Sequence, residues 1–321
     1  MEARILDQLT RAGDADFRSY WRTRPGVFPN SGIRSPFTLT DLDAALASGF
    51  FREPYLEMWR DGKRLPVKEF TESRTVARET PAGFADGARV HSLLDDGATI
   101  LLRCVEQWHG PTRRMLHALA DELGLPVEAF YFVTPEGRPG LPLHRDDGDV
   151  LVVQVAGSKS WCVHEGPADG EWYAGRVQPH EPQPAELFRT VLHPGDVLYI
   201  PRGFAHHATG RDGLSAHLSL AIREIGVADL SDTVRERVLR DAEAETADTG
   251  PRPLSEDAIT AAAKTLLDHA RRQLAELTAD ALVAHARQRR MDRMPVEPPN
   301  LSLSDMASAW PARDGERGRQ G

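Results

Sequence analysis

The spacing of hydrophobic residues changes along this chain, and each third predicts a different kind of structure. The N-terminal third mixes helical and strand-like segments. Thr40 and Asp43 resemble a capping box, which predicts a helix beginning at this point. Residues 111–123 carry an apolar stripe at helical spacing, with Pro111 suited to the first turn and Gly124 to the position after the last turn.

Short apolar segments rich in Val, Ile, Leu and aromatic residues fill the middle third, and Gly, Pro, Asp and Ser separate them. This pattern is typical of an all-β sandwich or barrel with hairpin connections. No helical pattern interrupts residues 129–222, which disfavours a parallel sheet built from βαβ units. The segments are ATILLRCVE, AFYFVTP, DVLVVQVAG, KSWCVHE, VLHPGDVLYIP and GLSAHLSLAI.

The last third returns to helical spacing. Leu230, Val234 and Val238 recur every four residues, and a second stripe covers residues 259–277 behind Ser255, a candidate N-cap. Each apolar stripe needs a surface to pack against. The flank of the β region or a second subunit would provide it.

These patterns divide the chain of 321 residues into four predicted segments. A chain of this length slightly exceeds what one hydrophobic core usually spans, so a main domain with a smaller appendage is expected. The segments are an N-terminal α/β segment packing on the core (1–110), a β core (111–225), a helical C-terminal region (226–309) and a disordered tail rich in Gly and Arg (310–321).

Composition narrows the classes of protein that remain. The net charge of −9 and a pI near 5.8 argue against broad nonspecific nucleic-acid binding, and nucleic acid is not expected as a direct ligand. The two cysteines, Cys104 and Cys162, are predicted to be buried reduced thiols, which indicates a reducing compartment. The charged N-terminus and the lack of a long apolar run predict a cytoplasmic protein with no membrane span.

A metal-binding pattern lies in the segment LPLHRDDGDVLVVQVAGSKSW. Residues i and i+2 of an extended strand project to the same side, so His144 and Asp146 can present an imidazole and a carboxylate to one ion. A third ligand must come from a distant strand, and His206 in VLYIPRGFAHHATG is the candidate. Two histidines and one carboxylate on one face of an ion form the facial triad of non-haem Fe(II) oxygenases. The remaining positions can take a bidentate cosubstrate and dioxygen.

Other residues compete for these roles. Asp147 and Asp149 are rival carboxylates, although Asp149 would be in phase only after a bulge. His207 is the rival of His206, because adjacent strand residues face opposite ways and only one can point inward. Eight further histidines, including His164, show no ligand spacing.

Three segments together resemble the JmjC/cupin-like Fe(II)- and 2-oxoglutarate-dependent oxygenases, and most of all their ribosomal oxygenase branch. They are YFVTPEGRPGLPLHRDDGDVLVVQVAGSKSW, LHPGDVLYIPRGFAHHA and LSAHLSL. The detailed likeness covers roughly residues 129–222, and FRSYWRTRPGVF near the N-terminus is similar as well. The resemblance implies a double-stranded β-helix (jelly-roll) core with N-terminal α/β decoration and a C-terminal helical region.

The resemblance also implies a set of site residues and cofactors. It assigns His144, Asp146 and His206 to Fe(II), and the position of His206 five residues past Pro201 matches the family's spacing. It assigns Lys159 to the distal carboxylate of 2-oxoglutarate, where a cation can pair with the dianion while its other end chelates the metal. Dioxygen is the second cosubstrate.

The second contact to the 2-oxoglutarate carboxylate is expected to differ from the family pattern. Relatives often have a tyrosine at the position of Phe132, whose side chain cannot donate a hydrogen bond. Thr134 is a candidate hydroxyl donor, and Tyr131 is the other residue that could compensate. His217, in LSAHLSL, is interpreted as a buried, hydrogen-bonded core histidine beside the pocket.

The implied activity is hydroxylation of a protein or peptide side chain, coupled to conversion of 2-oxoglutarate to succinate. N-methyl-lysine demethylation and hydroxylation of a small metabolite or natural-product peptide are the enzymatic alternatives. A non-catalytic cupin that senses a metal or ligand is the alternative from another class. The helices of residues 226–290 are expected to mediate a homodimer, as in the resembled branch.

Overall fold

The described part of the chain, in a computed structural model, comprises residues 4–10, 17–167, 172–246, 255–296 and 302–309. The predicted tail at 310–321 lies outside these residues. The helices are α1 (Ile5–Leu9), α2 (Leu39–Ala47), α3 (Gly87–Asp95), α4 (Val105–Trp108), α5 (Gly110–Leu123), α6 (Val227–Thr246), α7 (Glu256–Glu276), α8 (Ala279–Met291) and α9 (Leu303–Ala309).

The strands lie in the first two thirds of the chain, before α6. They are β1 (Gly26–Phe28), β2 (Leu56–Arg60), β3 (Lys63–Arg64), β4 (Thr71–Glu72), β5 (Phe84–Ala85), β6 (Thr99–Leu102), β7 (Val127–Thr134), β8 (His144–Arg145), β9 (Asp149–His164), β10 (Gly175–Arg176), β11 (Glu186–Leu192), β12 (Val197–Ile200) and β13 (His206–Ile222).

One antiparallel sheet contains most of these strands. Its main path runs β1-β12-β9-β13-β7-β6-β2-β3, while β11 pairs with β9 and the short β8 pairs with β13 and β10. The strand order is far from the chain order, so strands distant in sequence become neighbours. The N-terminal strands extend both ends of the path, which places the N-terminal segment on the same sheet as the middle third.

The two longest strands, β9 and β13, pair with each other along most of their length. The segments DVLVVQVAG and KSWCVHE belong to the single strand β9, although the sequence pattern treats them as separate. The strand continues through Gly157, whose φ is +56° and where an added Cβ would lie 2.4 Å from the carbonyl oxygen of Leu214. Only glycine allows the two backbones to approach this closely.

Side chains along β7 point alternately into the hydrophobic core and into a cavity. Ala129, Tyr131 and Val133 pack into the larger hydrophobic core, which contains residues from the N-terminal segment as well as the sheet. Phe130 and Phe132, which alternate with them, line a cavity on the other side. The period of two in this segment therefore gives one strand two functions, one in the core and one at the cavity.

Helix boundaries agree with the sequence pattern at two sites and differ at a third. Gly124 ends α5 with φ +65°, and the Ser255 side chain accepts a hydrogen bond at the start of α7. The predicted capping box at Thr40 and Asp43 is wrong by two residues. Thr38 caps α2, and its backbone N–H donates to the Asp41 carboxylate at 2.8 Å.

The two longest described helices, α6 and α7, lie in the C-terminal region. None of the described helices combines the length and the hydropathy needed to cross a membrane.

The buried carboxyl group of Glu106 makes the stability of the core depend on pH. Glu106 is 2% exposed and its carboxylate accepts a hydrogen bond from the Ala129 N–H at 2.9 Å. Burial raises the pKa of Glu106 from its ordinary value near 4.5 to about 7. The folded state therefore holds this proton more tightly than the unfolded chain, so its stabilising contribution is complete below about pH 4.5 and is lost as pH rises through about 7.

Glu106→Gln, which stays neutral, should gain stability relative to the wild type as pH rises. Between about pH 4 and about pH 8 the difference in unfolding free energy should grow by about 2–3 kcal/mol, measured by urea denaturation. Glu69→Gln, at an exposed position, is the control. Parallel pH profiles of the Glu106 variant and the wild type would contradict the assignment.

Candidate metal centre

Three side chains converge at one end of the sheet. Nε2 of His144 lies 3.5 Å from one carboxylate oxygen of Asp146, and Nε2 of His206 lies 3.5 Å from the other. One ligand atom from each residue lies within 4.8 Å of the others. The structure thus brings together the three residues that the sequence singled out. They are called the triad below.

Backbone carbonyls fix the orientation of both imidazoles. Nδ1 of His144 donates to the carbonyl oxygen of Pro142 at 2.8 Å, and Nδ1 of His206 donates to that of Phe204 at 3.0 Å. Each Nε2 therefore carries its lone pair toward Asp146, the arrangement that metal-ligating histidines adopt. Burial, together with the neighbouring His144, lowers the pKa of His206 to about 4, which keeps it neutral and able to ligate.

Strand pairing and a tight turn bring the distant ligands together. His144 on β8 and His206 on β13 are register partners, which places their side chains next to each other. The chain reaches β13 through a turn in which the Phe204 N–H donates to the Pro201 carbonyl at 3.1 Å. Gly203 takes the left-handed position of this turn with φ +81°, as a type II turn requires.

The alternative candidates for the metal ligands make other contacts. Asp149 is fully buried, and its carboxylate accepts from the Tyr199 hydroxyl at 2.8 Å and from Arg22 Nε at 3.2 Å. Asp147 is largely exposed and pairs with Arg223. His207 does not line the cavity beside the triad, whereas its neighbour His206 does. Among the three carboxylates, only Asp146 faces the two imidazoles.

A cavity of about 190 Å³ opens beside the triad. Part of its lining is apolar and includes Phe132, Val152 and Trp161. Lys159 also lines it, together with all three residues of the triad. A cation and three metal-ligating groups therefore line the same cavity.

Lys159 is unusual because its side chain is almost completely buried, at 1% exposure. Its Nζ lies 2.9 Å from the Thr134 hydroxyl and 3.4 Å from Nδ1 of His217. Burial lowers the pKa of Lys159 to about 7. No carboxylate of the described residues pairs with this amine, and a buried amine of this kind is expected to bind an anion.

The sequence also matches a known family over this region. The family profile described as JmjC domain matches residues 106–230. This segment contains the triad, Lys159 and the cavity-lining strands. Residues 106–230 are a JmjC domain.

Curated relatives carry the names of oxygenases. Human Ribosomal oxygenase 1 is 31% identical over 191 residues, which are 58% of this chain and 28% of that protein. Bovine Ribosomal oxygenase 2 is 31% identical over 281 residues, which are 81% of this chain and 57% of that protein. The Drosophila melanogaster protein named Bifunctional lysine-specific demethylase and histidyl-hydroxylase NO66 is 30% identical over 182 residues, covering 54% and 28% of the two chains. The chain thus spans less than two thirds of these relatives.

Solved structures agree on the fold. An X-ray structure of Escherichia coli YcfD aligns with a TM-score of 0.55 and 18% identity, covering 92% of this chain and 77% of that chain. YcfD in complex with cobalt and 2-oxoglutarate, described as a ribosomal oxygenase, aligns with a TM-score of 0.51 and 19% identity, covering 79% and 65%. The predicted cupin-like jelly roll with added helices is confirmed.

Within the JmjC domain, Thr134 and His217 surround the Lys159 amine. Thr134 is fully buried, and its hydroxyl accepts from Lys159 and from the Thr99 hydroxyl at 3.3 Å. His217 stacks on Phe132, with ring centroids 4.8 Å apart and planes 4° from parallel. Phe132 therefore supplies the wall on which His217 rests, and His217 takes part in the polar cluster around Lys159.

Tyr131 does not reach this cluster. It alternates with Phe130 and Phe132 on β7, so its ring points into the larger core, 4.8 Å from the ring of Phe37. It does not line the cavity. The expectation that Tyr131 compensates for Phe132 is therefore corrected, because the period of two along the strand directs it to the opposite side.

Sequence reasoning missed several cavity-lining residues, including Gly140, Arg103 and Arg223. Gly140 lies so close that a Cβ added there would be 3.8 Å from Lys159 Nζ. Arg103 and Arg223 line the same cavity, and Arg103 is paired with Glu57 at 2.7 Å. Nothing in the sequence indicates these arginines, since each lies near the end of a different strand and only the fold brings them together.

Proposed function

We propose that this chain is an Fe(II)- and 2-oxoglutarate-dependent dioxygenase that hydroxylates a protein or peptide side chain. The observation that carries the proposal is the triad and the buried Lys159 amine lining one cavity. Two imidazoles and a carboxylate are the donor set that suits non-haem Fe(II). The carbonyl bonds to both Nδ1 atoms leave each Nε2 free to ligate, so these residues fit the metal.

When bound, Fe(II) couples the decarboxylation of 2-oxoglutarate to succinate with the insertion of one atom of dioxygen into a substrate C–H bond. His144, Asp146 and His206 would hold the metal in a fixed orientation. Lys159, supported by Thr134, would pair with the distal carboxylate of 2-oxoglutarate. The apolar part of the lining, which includes Phe132 and Trp161, would limit the access of water to the reacting centre.

The class of substrate is inferred from the relatives. Human Ribosomal oxygenase 1 and the Drosophila histidyl-hydroxylase point to a protein side chain as substrate. N-methyl-lysine demethylation is the second candidate, because the same Drosophila protein also carries the name of a lysine-specific demethylase. Both reactions begin with hydroxylation of a C–H bond, so one site geometry supports either.

The test is anaerobic reconstitution of the full chain with Fe(II) and 2-oxoglutarate, followed by air and a panel of candidate peptides. Peptide-dependent succinate with a product heavier by one oxygen atom supports hydroxylation. Formaldehyde release from a methylated peptide supports demethylation. Turnover only with small metabolites, or binding without succinate as in a cupin sensor, would overturn the proposal.

We also propose that the helical C-terminal region forms a homodimer. Ile259, Leu267 and Leu274 lie about two turns apart on one face of α7, and each is about half exposed. Replacing all three with Ser should convert a dimer into a monomer, measured by size-exclusion chromatography with light scattering. A wild-type monomer would contradict this prediction.

Two reduced cysteines support a cytoplasmic location. Cys104 and Cys162 are both free thiols. Unpaired cysteines are the norm in a reducing compartment. Fractionation of cells expressing the full chain would test this location.

A further inference from the structure

A second group of metal-ligating side chains lies on the strands that carry the triad. Cys162 and His164 are two residues apart on β9, and His207 on β13 is the register partner of Cys162. One ligand atom from each of these residues lies within 4.8 Å of the others. Neighbouring residues on a strand face opposite ways, so this cluster lies on the other side of the sheet from His206 and Trp161.

His164 is oriented as a metal ligand would be. Its Nδ1 donates to the carbonyl oxygen of Pro184 at 2.9 Å. This bond leaves the Nε2 lone pair facing the Cys162 sulfur, at 3.2 Å. The triad histidines use backbone carbonyls in the same way, and such a bond fixes both the tautomer and the direction of a ligating imidazole.

His207 supplies an independent indication. Its Nδ1 is buried and has no hydrogen-bond partner among the residues that the structure describes. A buried polar atom without a partner is unfavourable by about 1–3 kcal/mol, so it needs an explanation. The ring centroid of His207 lies 5.6 Å from that of His164. An ion coordinated by both histidines would be the partner that Nδ1 of His207 lacks.

We propose that Cys162, His164 and His207 bind a zinc-class divalent cation at a site separate from the iron site. One thiolate and two imidazoles suit Zn²⁺, whereas the carboxylate-containing triad suits iron. The fourth tetrahedral position is left for water or a further ligand. Because the site joins β9 to β13, a bound ion would brace the strands that carry Trp161 and His206 on their other side.

Cobalt(II) distinguishes the two sites, because only coordination by sulfur produces thiolate-to-metal charge-transfer absorption in the near ultraviolet. Anaerobic titration of the reduced full chain with cobalt(II) should show two cobalt ions bound per chain, together with this band. Zn²⁺ added afterwards should bleach the band. Cys162→Ser should bind one equivalent and lose the band, while Cys104→Ser, the matched control, should keep both.

Two further variants keep the test decisive. Asp146→Ala should retain the charge-transfer band. Loss of metal from the iron site can therefore be distinguished from loss of metal from the site at Cys162. His207→Gln should lower the affinity for the cobalt ion that produces the band by at least about tenfold. This variant replaces Cys162→Ser in the test if Cys162→Ser does not fold. A wild-type chain without the band, or a band that survives Cys162→Ser or follows Cys104, overturns the proposal.

Discussion

Asp146→Ala should abolish 2-oxoglutarate turnover because the variant no longer holds the metal. Among the described residues, Asp146 is the carboxylate that faces the two triad imidazoles, with one oxygen 3.5 Å from Nε2 of His144 and the other 3.5 Å from Nε2 of His206. Loss of an outer-shell partner already weakens metal binding by about 10- to 100-fold, so loss of a ligand should exceed about 100-fold. Equilibrium dialysis with Fe(II) under anaerobic conditions and a succinate assay measure the two effects.

Asp147→Ala is the matched control for this experiment. It removes the adjacent carboxylate, which is exposed and pairs with Arg223 instead of the triad. Its metal affinity should stay within about twofold of the wild type, since surface ion pairs contribute little. Normal succinate production by Asp146→Ala, or equal metal loss in both variants, would remove Asp146 from the triad.

Lys159→Met should raise the concentration of 2-oxoglutarate required for half-maximal turnover by about 100-fold. Removing one partner of a buried charged pair is typically unfavourable by about 2–5 kcal/mol. Methionine has a similar length, so the cavity keeps its shape while the charge is lost. Steady-state kinetics with varied 2-oxoglutarate gives the requirement, and Lys68→Met, at an exposed position, is the control.

The melting temperature of the Lys159→Met variant distinguishes a role of Lys159 in binding 2-oxoglutarate from a role in stabilising the fold. Burial lowers the pKa of Lys159 to about 7, so the charged amine opposes folding near neutral pH. The variant should therefore melt at a higher temperature than the wild type, and 2-oxoglutarate should raise the melting temperature only of the wild type. A lower melting temperature with an unchanged 2-oxoglutarate requirement would make Lys159 a structural residue.

Local sequence rules predicted the parts of the site that lie close together in the chain. His144 and Asp146 share a side because they are two residues apart on extended chain, and this requires no knowledge of the fold. Gly124 and Ser255 mark helix ends through backbone preferences that act over a few residues. The apolar segments predicted an all-β sandwich or barrel, and the resemblance to the JmjC oxygenases implied the jelly roll.

Tertiary structure decided everything that depends on which side of a strand faces the cavity. It placed His206 beside His144 and Asp146 and His207 away from the cavity, and it turned Tyr131 into the core. A shift of one residue in register exchanges the two faces of a strand, and sequence alone does not fix that register. For the same reason, the cluster of Cys162 with His207 became visible only once β9 and β13 were paired, since pairing joins residues that are far apart in the chain.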